Sequence, residues 1–545
     1  MKREVSKISE QHFDILVIGG GITGAAIAYE VASRGFSVAL FEKNDFGGAT
    51  SAATSKMIHG GLRYLAKMEF GLVRESLRER RVLTNIAPNF VHPSKFILTT
   101  YKKGKTTAWM LKVAMVLYDF LSFDKNRLWD TSKKMPLHKS MRRDTVLELE
   151  PNVKSDGLQQ SQMYFDCFSC CPERLTLAFV KSAVKYGAKV LNYADIKDFI
   201  FEKNKDKKKI TGVKVFDKVT ANEFNVFGKQ VINCTGPWAD IIINKVLGKM
   251  STIELRRSEG IHLITKKVVN KHIVTATTKS GRHCFVVPWR NYTLIGTTDK
   301  EFIGNPDDYR VSKNAVEEFL AEVNEVFGNE EKLNYSDVKF VYGGLRPLVE
   351  DQTEDVYESS RKYEIVDHVK NGISGLITVE GGKYTTSRSL AENVVNILFE
   401  KTGAKRVPSL SAKQFLVGSE IENCKDFISE KSKKYPGLDK YQIEFLAKMY
   451  GTEMDTVLQI GEQKNRMQKL NNDGEIEAQV SYAIQNEMAV KLSDIFMRRT
   501  GLGTLGHPGD KVLTKVANLA AKELKWTKEK LVDEITEMEE IFRIP

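Results

Sequence analysis

Three glycines in one short stretch constrain this chain more than any other feature. Phe13 to Ile18 is an apolar run rich in β-branched residues, suited to a strand buried on both faces. Gly19, Gly21 and Gly24 follow as G-x-G-x-x-G, and small and apolar residues from Ile22 to Ser33 read as a helix closed by Arg34-Gly35. Ser37 to Phe41 reads as a second strand, ending at the acidic Glu42. Strand, tight turn, helix and strand in this order bind the pyrophosphate of a dinucleotide, because unpaired N–H groups and the helix dipole favour an anion at the helix N-terminus. Gly19 permits the turn, Gly21 lets phosphate reach the backbone, and Gly24 lets helix and strand pack closely. Glu42 stands where a carboxylate can accept hydrogen bonds from a ribose hydroxyl. A purely structural glycine turn is the competing reading, and the flanking elements disfavour it.

With 545 residues the chain has room for two or three domains. Its 42% hydrophobic and 28% charged residues are ordinary for a soluble globular protein. No run of apolar residues is long enough to span a bilayer, and the stretch from Phe13 carries Asp14 and the turn glycines rather than a leader's cleavage site, so a cytoplasmic location is expected. The net charge of +12 is compatible with nucleic acid, an anionic membrane surface or an anionic substrate. Its basic residues are scattered, and the run Lys203 to Lys209 reads as a solvated hairpin turn. Of six cysteines, Cys167, Cys170 and Cys171 cluster as CFSCC; without a second ligand pair at regular spacing they read as structural thiols, and no metal site is expected.

Lys67 to Ile86 has the charge pairs of a surface helix. Thr106 to Phe123 is more apolar, and reads either as a core helix or as one lying in a membrane interface with Trp109 and Tyr118 at headgroup level. QVINCTGPW (Gln230 to Trp238) reads as a strand returning to the nucleotide-binding sheet. His262 falls on a strand in EGIHLIT, and EGGKYTTSR (Glu380 to Arg388) places a glycine turn before a helix that runs to Phe399. Pro408 to Pro545 shows helical spacing with few strand signals, which predicts a separate all-helical domain with its own small core. Nucleotide-type motifs at Gly19, Gly236 and Gly381 are spread over most of the chain, which suits a flavin threaded between two interleaved domains better than NAD in one contiguous domain.

GGGITG with Glu42, SKMIHGGLRYL (Ser55 to Leu65), LIGTTD, GGLRP, EGGKYTTSR and the YAIQNEMAVKLSDIFMRRT helix (Tyr482 to Thr500) together resemble the FAD-dependent, quinone-linked glycerol-3-phosphate dehydrogenases, in order and over nearly the whole chain. The resemblance implies an α/β (α+β) flavoprotein of the glycine/D-amino-acid-oxidase type. A Rossmann-like FAD domain (about 11–100, 160–250 and 340–400) would be interleaved with a β-sheet substrate domain (about 100–160 and 250–340), ahead of a helical domain at 408–545. It implies oxidation of sn-glycerol 3-phosphate to dihydroxyacetone phosphate by hydride transfer to FAD, with electrons passed to a membrane quinone by a protein held peripherally on the inner face of the membrane.

The site residues the resemblance implies make chemical sense. A phosphate ester calls for arginine and lysine, and Arg63, Arg346 and Lys383 lie on three motif turns. His262 is the candidate base for the hydroxyl proton, with Arg346 as the alternative stabiliser of the alkoxide. Tyr64 would orient the substrate, and Thr298 and Asp299 would line the site or merely cap a turn. FAD would contact Gly19, Gly21, Ile22, Gly24, Glu42, Lys43 and Ser51 toward its adenosine end. Ser55, Lys56, His59, Gly61, Thr235, Gly236, Gly382, Lys383 and Thr385 would follow it toward the ring.

Two other activities share these residues in whole or part: an oxidase of the same fold that uses O2, and a basic FAD protein acting on RNA. The second needs a concentrated basic face, which the sequence lacks, so no nucleic-acid partner is expected. A homodimer is left open. RRSEGIH before His262, with the negative Glu259, departs from the family pattern, as does DCFSCCPERL (Asp166 to Leu175), whose cysteines the resemblance does not explain.

Overall fold

The computed structural model describes residues 1–102, 107–202, 208–247, 255–278, 282–328, 332–348 and 362–545. The proposed hairpin turn at Lys203 to Lys209 falls mostly outside these residues. The strand predicted from Phe13 is His12–Ile18, and it lies in the middle of a nine-stranded sheet. It pairs in parallel with Val38–Phe41 on one side (Ile15 opposite Val38) and with the end of Asn222–Asn233 on the other (Val17 opposite Ile232). Leu376–Gly381 continues the parallel core and Tyr363–Asp367 closes that edge antiparallel. Central strands of a parallel sheet are covered on both faces, which is why their residues are almost uninterruptedly apolar. The helices Ile22–Ser33, Pro172–Lys185 and Ser387–Thr402 contribute to one core cluster with Ile15, Val17 and Leu40.

A second, ten-stranded sheet holds the substrate side. Arg256–Thr265 runs antiparallel to both Val338–Leu348 and Tyr292–Gly296, setting Ser258 opposite Arg346 and His262 opposite Tyr342 and Gly296. Met57–Ile58, Val91–Leu98, Ser161–Ser169 and Val338–Leu348 also belong to this sheet. All four come from stretches that the sequence reading assigned to FAD-binding segments, so the chain crosses between the sheets more often than the motifs suggested. The helix at Phe70–Ile86 is not the surface helix its charges predicted: Ser76, Glu79, Arg80 and Thr84 are buried. Arg388 takes the Glu79 carboxylate in a bidentate pair at 2.6 and 2.8 Å, and Arg80 takes Asp166 at 2.7 Å.

Residues beyond Cys424 are helical, as expected, but they do not form a core of their own. Leu446, Tyr450, Val457 and Tyr482 share one cluster with the nucleotide-binding sheet, while Leu492, Phe496, Val516 and Phe542 share another with Trp289 and Phe340 of the second sheet. The junction is also ionic. Arg499 makes two hydrogen bonds of 2.8 Å to Asp45, Arg498 a third of 2.6 Å, and Asn192 a fourth of 3.0 Å. The π-helical turn Ile495–Arg499 is what presents these neighbouring arginines. Arg174 forks onto Glu487 at 2.9 and 2.8 Å, and Lys181 reaches the same carboxylate at 3.1 Å.

Candidate active site

The glycine turn has the shape its sequence required. Gly19 sits at φ +100°, and a Cβ there would stand 2.6 Å from the Cys234 carbonyl oxygen; a Cβ on Gly24 would meet the Gly19 carbonyl oxygen at 1.9 Å. Gly21 opens the Ile22–Ser33 helix without a side-chain cap of its own. Ser51 Oγ accepts from the Ile22 N–H at 2.9 Å, and Glu42 accepts from the N–H groups of Gly20 (2.7 Å) and Asn44 (2.9 Å). A carboxylate has room for about four hydrogen bonds, so Glu42 keeps acceptor capacity for a ribose. Burial raises its carboxyl above the usual value.

Beside this turn opens a cavity of about 1040 Å³, lined by Gly19, Gly21, Ile22, Glu42, Lys43 and Ser51 at one end. Thr235, Gly236, Gly382 and Thr385 also line it, as do Ser55, His59, Arg63, Tyr64, His262, Asp299, Arg346 and Lys383. Lys43 is held by Asp307 at 2.6 Å and lies over the Trp238 ring. The Thr235 hydroxyl donates to Asn233 at 2.7 Å. A cavity of this size beside a helix N-terminus whose cap residue is glycine fits a dinucleotide.

Four predicted residues stand apart from the cavity lining. Lys56 adopts φ +57° and turns its side chain away, into a buried pair with Glu173 at 2.8 Å and over the Trp289 ring at 5.0 Å. A contact between its ammonium and the flavin is therefore replaced by a structural ion pair. Gly24 and Gly61 shape backbone instead; Gly61 has φ +74° and donates to His59 Nδ1 at 3.2 Å. Thr298 accepts from the Ile261 N–H at 3.0 Å, while its neighbours Thr297 and Asp299 face the cavity.

At the ring end charge and burial compete. Lys383 donates to Ser76 at 2.5 Å and lies 4.5 Å from the centre of the Tyr64 ring; the Arg63 guanidinium lies 5.0 Å from the same ring. Burial, with Arg63 adding repulsion, pulls Lys383 down to about 7. Arg346 is oriented by Thr297 Oγ1 (2.7 Å), the Thr298 carbonyl (3.2 Å) and Asp299 (3.4 Å). His262 stacks on Tyr342 at 4.8 Å, its Nε2 lies 2.9 Å from Ser55 Oγ, and its buried Nδ1 has no hydrogen-bond partner among the described residues. Burial, followed by Arg346 and Lys56, keeps this imidazole far below its ordinary value and therefore neutral.

Several cavity residues escaped the sequence reading. His283 lies 3.2 Å from Thr277 Oγ1, and burial with Arg63 lowers it to about 4, as burial chiefly does for the anticipated His59. The alternation of the two strands that carry Thr277 and His283 was the available signal. Met110, Val113, Ala114 and Leu117 of the Ala108–Leu121 helix also face the cavity. Leu111, Met115 and Tyr118 of that helix are buried, so Tyr118 is a core residue and does not stand at headgroup level, while Trp109 is 73% and Phe120 72% exposed. Tyr118 donates to Asp166 at 2.6 Å, and the same carboxylate oxygen accepts from the Gly60 N–H at 3.3 Å. Among the described residues no helix is long and apolar enough to cross a membrane.

Comparison with known proteins agrees with this geometry. Residues 14–388 match the FAD dependent oxidoreductase family, and residues 409–531 match the C-terminal domain of alpha-glycerophosphate oxidase. The aerobic glycerol-3-phosphate dehydrogenase of Bacillus subtilis is 32% identical over 92% of this chain and 89% of its own length. The glycerol-3-phosphate dehydrogenase of Synechocystis is 31% identical over 99% and 98%. The crystal structure of the Bacillus halodurans glycerol-3-phosphate dehydrogenase complexed with FAD superimposes with a TM-score of 0.77 at 27% identity, covering 99% of this chain and 96% of that one. With the glycine turn, the cavity and the helical C-terminal region all matched, the chain belongs to the FAD-dependent glycerol-3-phosphate dehydrogenase family, and its cofactor is FAD.

Proposed function

We propose that the chain oxidises sn-glycerol 3-phosphate to dihydroxyacetone phosphate and passes the electrons to a quinone in the membrane on which its Ala108–Leu121 helix rests. The observation that carries the reading is that Arg63, Lys383, Arg346 and His262 line the same cavity as the dinucleotide turn. Bound FAD supplies a two-electron acceptor for hydride. Arg63 and Lys383 supply the positive charge for a phosphate ester, and Tyr64, within cation–π distance of both, keeps these like charges in place. His262 takes the hydroxyl proton: it is neutral, it touches Ser55, and it retains an unfilled hydrogen-bonding position. Arg346, fixed by Thr297 and Asp299, stabilises the alkoxide as that proton leaves. The phosphate also favours the charged form of Lys383, so binding draws a proton onto it near neutral pH.

Quinone rather than oxygen as acceptor is supported by the helix that faces both ways. Met110, Val113 and Leu117 line the cavity, and the neighbouring Trp109, Val116 and Phe120 are exposed beside the cationic Lys112. An apolar stripe with a basic flank suits the interface of an anionic bilayer. The test is anaerobic mixing with glycerol 3-phosphate while flavin absorbance is followed. Bleaching at substrate concentration, reversed faster by a short-chain quinone than by oxygen, is expected. Absence of bleaching would remove the substrate assignment, and faster reversal by oxygen would turn the reading to an oxidase.

A further inference from the structure

The CFSCC cluster lies outside the cofactor cavity, and its last two thiols are arranged as a pair. Cys170 Sγ and Cys171 Sγ are 3.3 Å apart, in hydrogen-bonding contact. Cys171 is the N-cap of the 14-residue Pro172–Lys185 helix, where the helix dipole favours a thiolate. Cys170 is only half-buried; its thiol is hydrogen-bonded by the His92 imidazole and reaches the Asn89 carbonyl at 3.8 Å. Both sulfurs face a water-sized cavity of about 20 Å³ whose wall includes Arg174, Arg290 and Arg498. Cys167, three positions earlier, is different: it is fully buried against Thr84, at 3.6 Å.

A partly exposed thiol in contact with an imidazole and with a second thiol, beside a cavity with arginines in its wall, is a setting in which cysteine can react. The hydrogen bond from Cys171, despite burial and with help from His92, holds the Cys170 thiol well below its ordinary range, while burial pushes Cys171 well above it. Cys170, the more exposed of the two sulfurs, is the one an oxidant meets first, and Cys171 lies in contact to resolve it. The cavity has room for one water-sized molecule.

We propose that Cys170 and Cys171 form a peroxide-sensing dithiol that closes to a reversible vicinal disulfide. The Cys170 thiolate attacks one oxygen of a hydroperoxide, breaking the O–O bond to give a sulfenic acid and the alcohol or water. The Cys171 thiol then displaces the sulfenic hydroxyl as water, forming the S–S bond. Two thiols lose two electrons and two protons in all, and one hydroperoxide is reduced. The site adjoins the domain junction, since Glu173 and Arg174, two and three positions after Cys171, hold Lys56 and Glu487. The disulfide therefore forms at the N-terminus of the helix that carries both links.

The test uses the FAD-loaded full chain, treated with hydrogen peroxide, alkylated and digested with trypsin. Cys167, Cys170 and Cys171 fall in one peptide, Ser155 to Arg174. The expected product carries a single alkyl group, on Cys167 by fragmentation, is two hydrogens lighter, and regains all three alkylation sites after dithiothreitol. In C171S, which lacks the resolving thiol, peroxide should instead leave a sulfenic acid on Cys170 that dimedone traps. FAD content like that of the parent protein shows that the variant folds. Dimedone trapping in the parent protein at the level of C171S, a disulfide that includes Cys167, or full alkylation of all three thiols after peroxide would each overturn the proposal.

Discussion

Replacing Asp45 by alanine should loosen the C-terminal helices from the cofactor domain. The carboxylate accepts four hydrogen bonds and faces two guanidiniums, of which Arg499 is fully buried and Arg498 nearly so. Its removal leaves Arg499 uncompensated, because the nearest other carboxylate, Glu487, is 3.9 Å away and already shared with Arg174 and Lys181. Arg498 retains Asp494 at 2.6 Å. Breaking a buried pair by deleting one partner costs about 3–5 kcal/mol, equivalent to roughly two to three and a half orders of magnitude in the docking equilibrium. Asp45 also lines the cavity, so the loss should appear as weaker FAD retention. Urea titration of the holoenzyme, followed by released flavin fluorescence together with limited proteolysis, reads both, the first transition being the relevant one in a chain of several domains. A change below about 0.5 kcal/mol in D45A would refute the argument. The pH dependence has a definite sign. Burial would raise the Asp45 carboxyl, but Arg499 and Arg498 hold it at about 2. A depressed carboxyl contributes its full stability above its unfolded value near 4 and loses it as pH falls through about 2. The junction of the parent protein should therefore stay closed at pH 5, where D45A is already weakened.

Arg346→Ala should lower kcat about 10²–10³-fold with FAD still bound, and near-normal steady-state turnover would sink its role in stabilising the alkoxide. Because Lys383 is pulled down to about 7, kcat/KM for glycerol 3-phosphate should fall as pH rises through that value. K383R, which stays charged, should move the falling limb upward, and K383M should lose about 10–150-fold, the worth of one charge-assisted hydrogen bond; a pH profile that K383R leaves unchanged contradicts the assignment. V116S/F120S removes two exposed apolar side chains, each worth about 1.5–3 kcal/mol if buried in lipid, and co-flotation with anionic vesicles at high salt should drop more than about 100-fold while soluble-acceptor turnover persists.

Much of this site can be read in the chain because its parts are local. The glycine turn, its strand and its helix are neighbours in sequence, and backbone geometry alone demands glycine at Gly19 and Gly24. Arg63, Tyr64 and Lys383 sit in motifs close to glycines, and all three line the cavity. What stayed hidden is long-range or conformational. Lys56 lies within a cavity motif, yet one left-handed residue aims it at Glu173, and no spacing rule reports φ. The RRT segment was visible as a family mark, but its partner Asp45 lies at the other end of the chain, and only the fold brings the two together. The helical region looked self-sufficient because its apolar spacing is regular, whereas periodicity states that a face is buried and not what buries it.

Asp166 gives the Ala108–Leu121 helix a second meaning. One oxygen of this carboxylate holds both the Tyr118 hydroxyl and the Gly60 amide, and Arg80 anchors the other oxygen. Gly60 has no slack, since a Cβ there would stand 2.3 Å from the same Tyr118 oxygen. The segment that meets the outside and the turn between His59 and Gly61 are thus two arms of one short lever, with Asp166 as its fulcrum. The position of the helix and the position of the backbone at Gly60, next to the cavity-lining His59, are set by the same carboxylate.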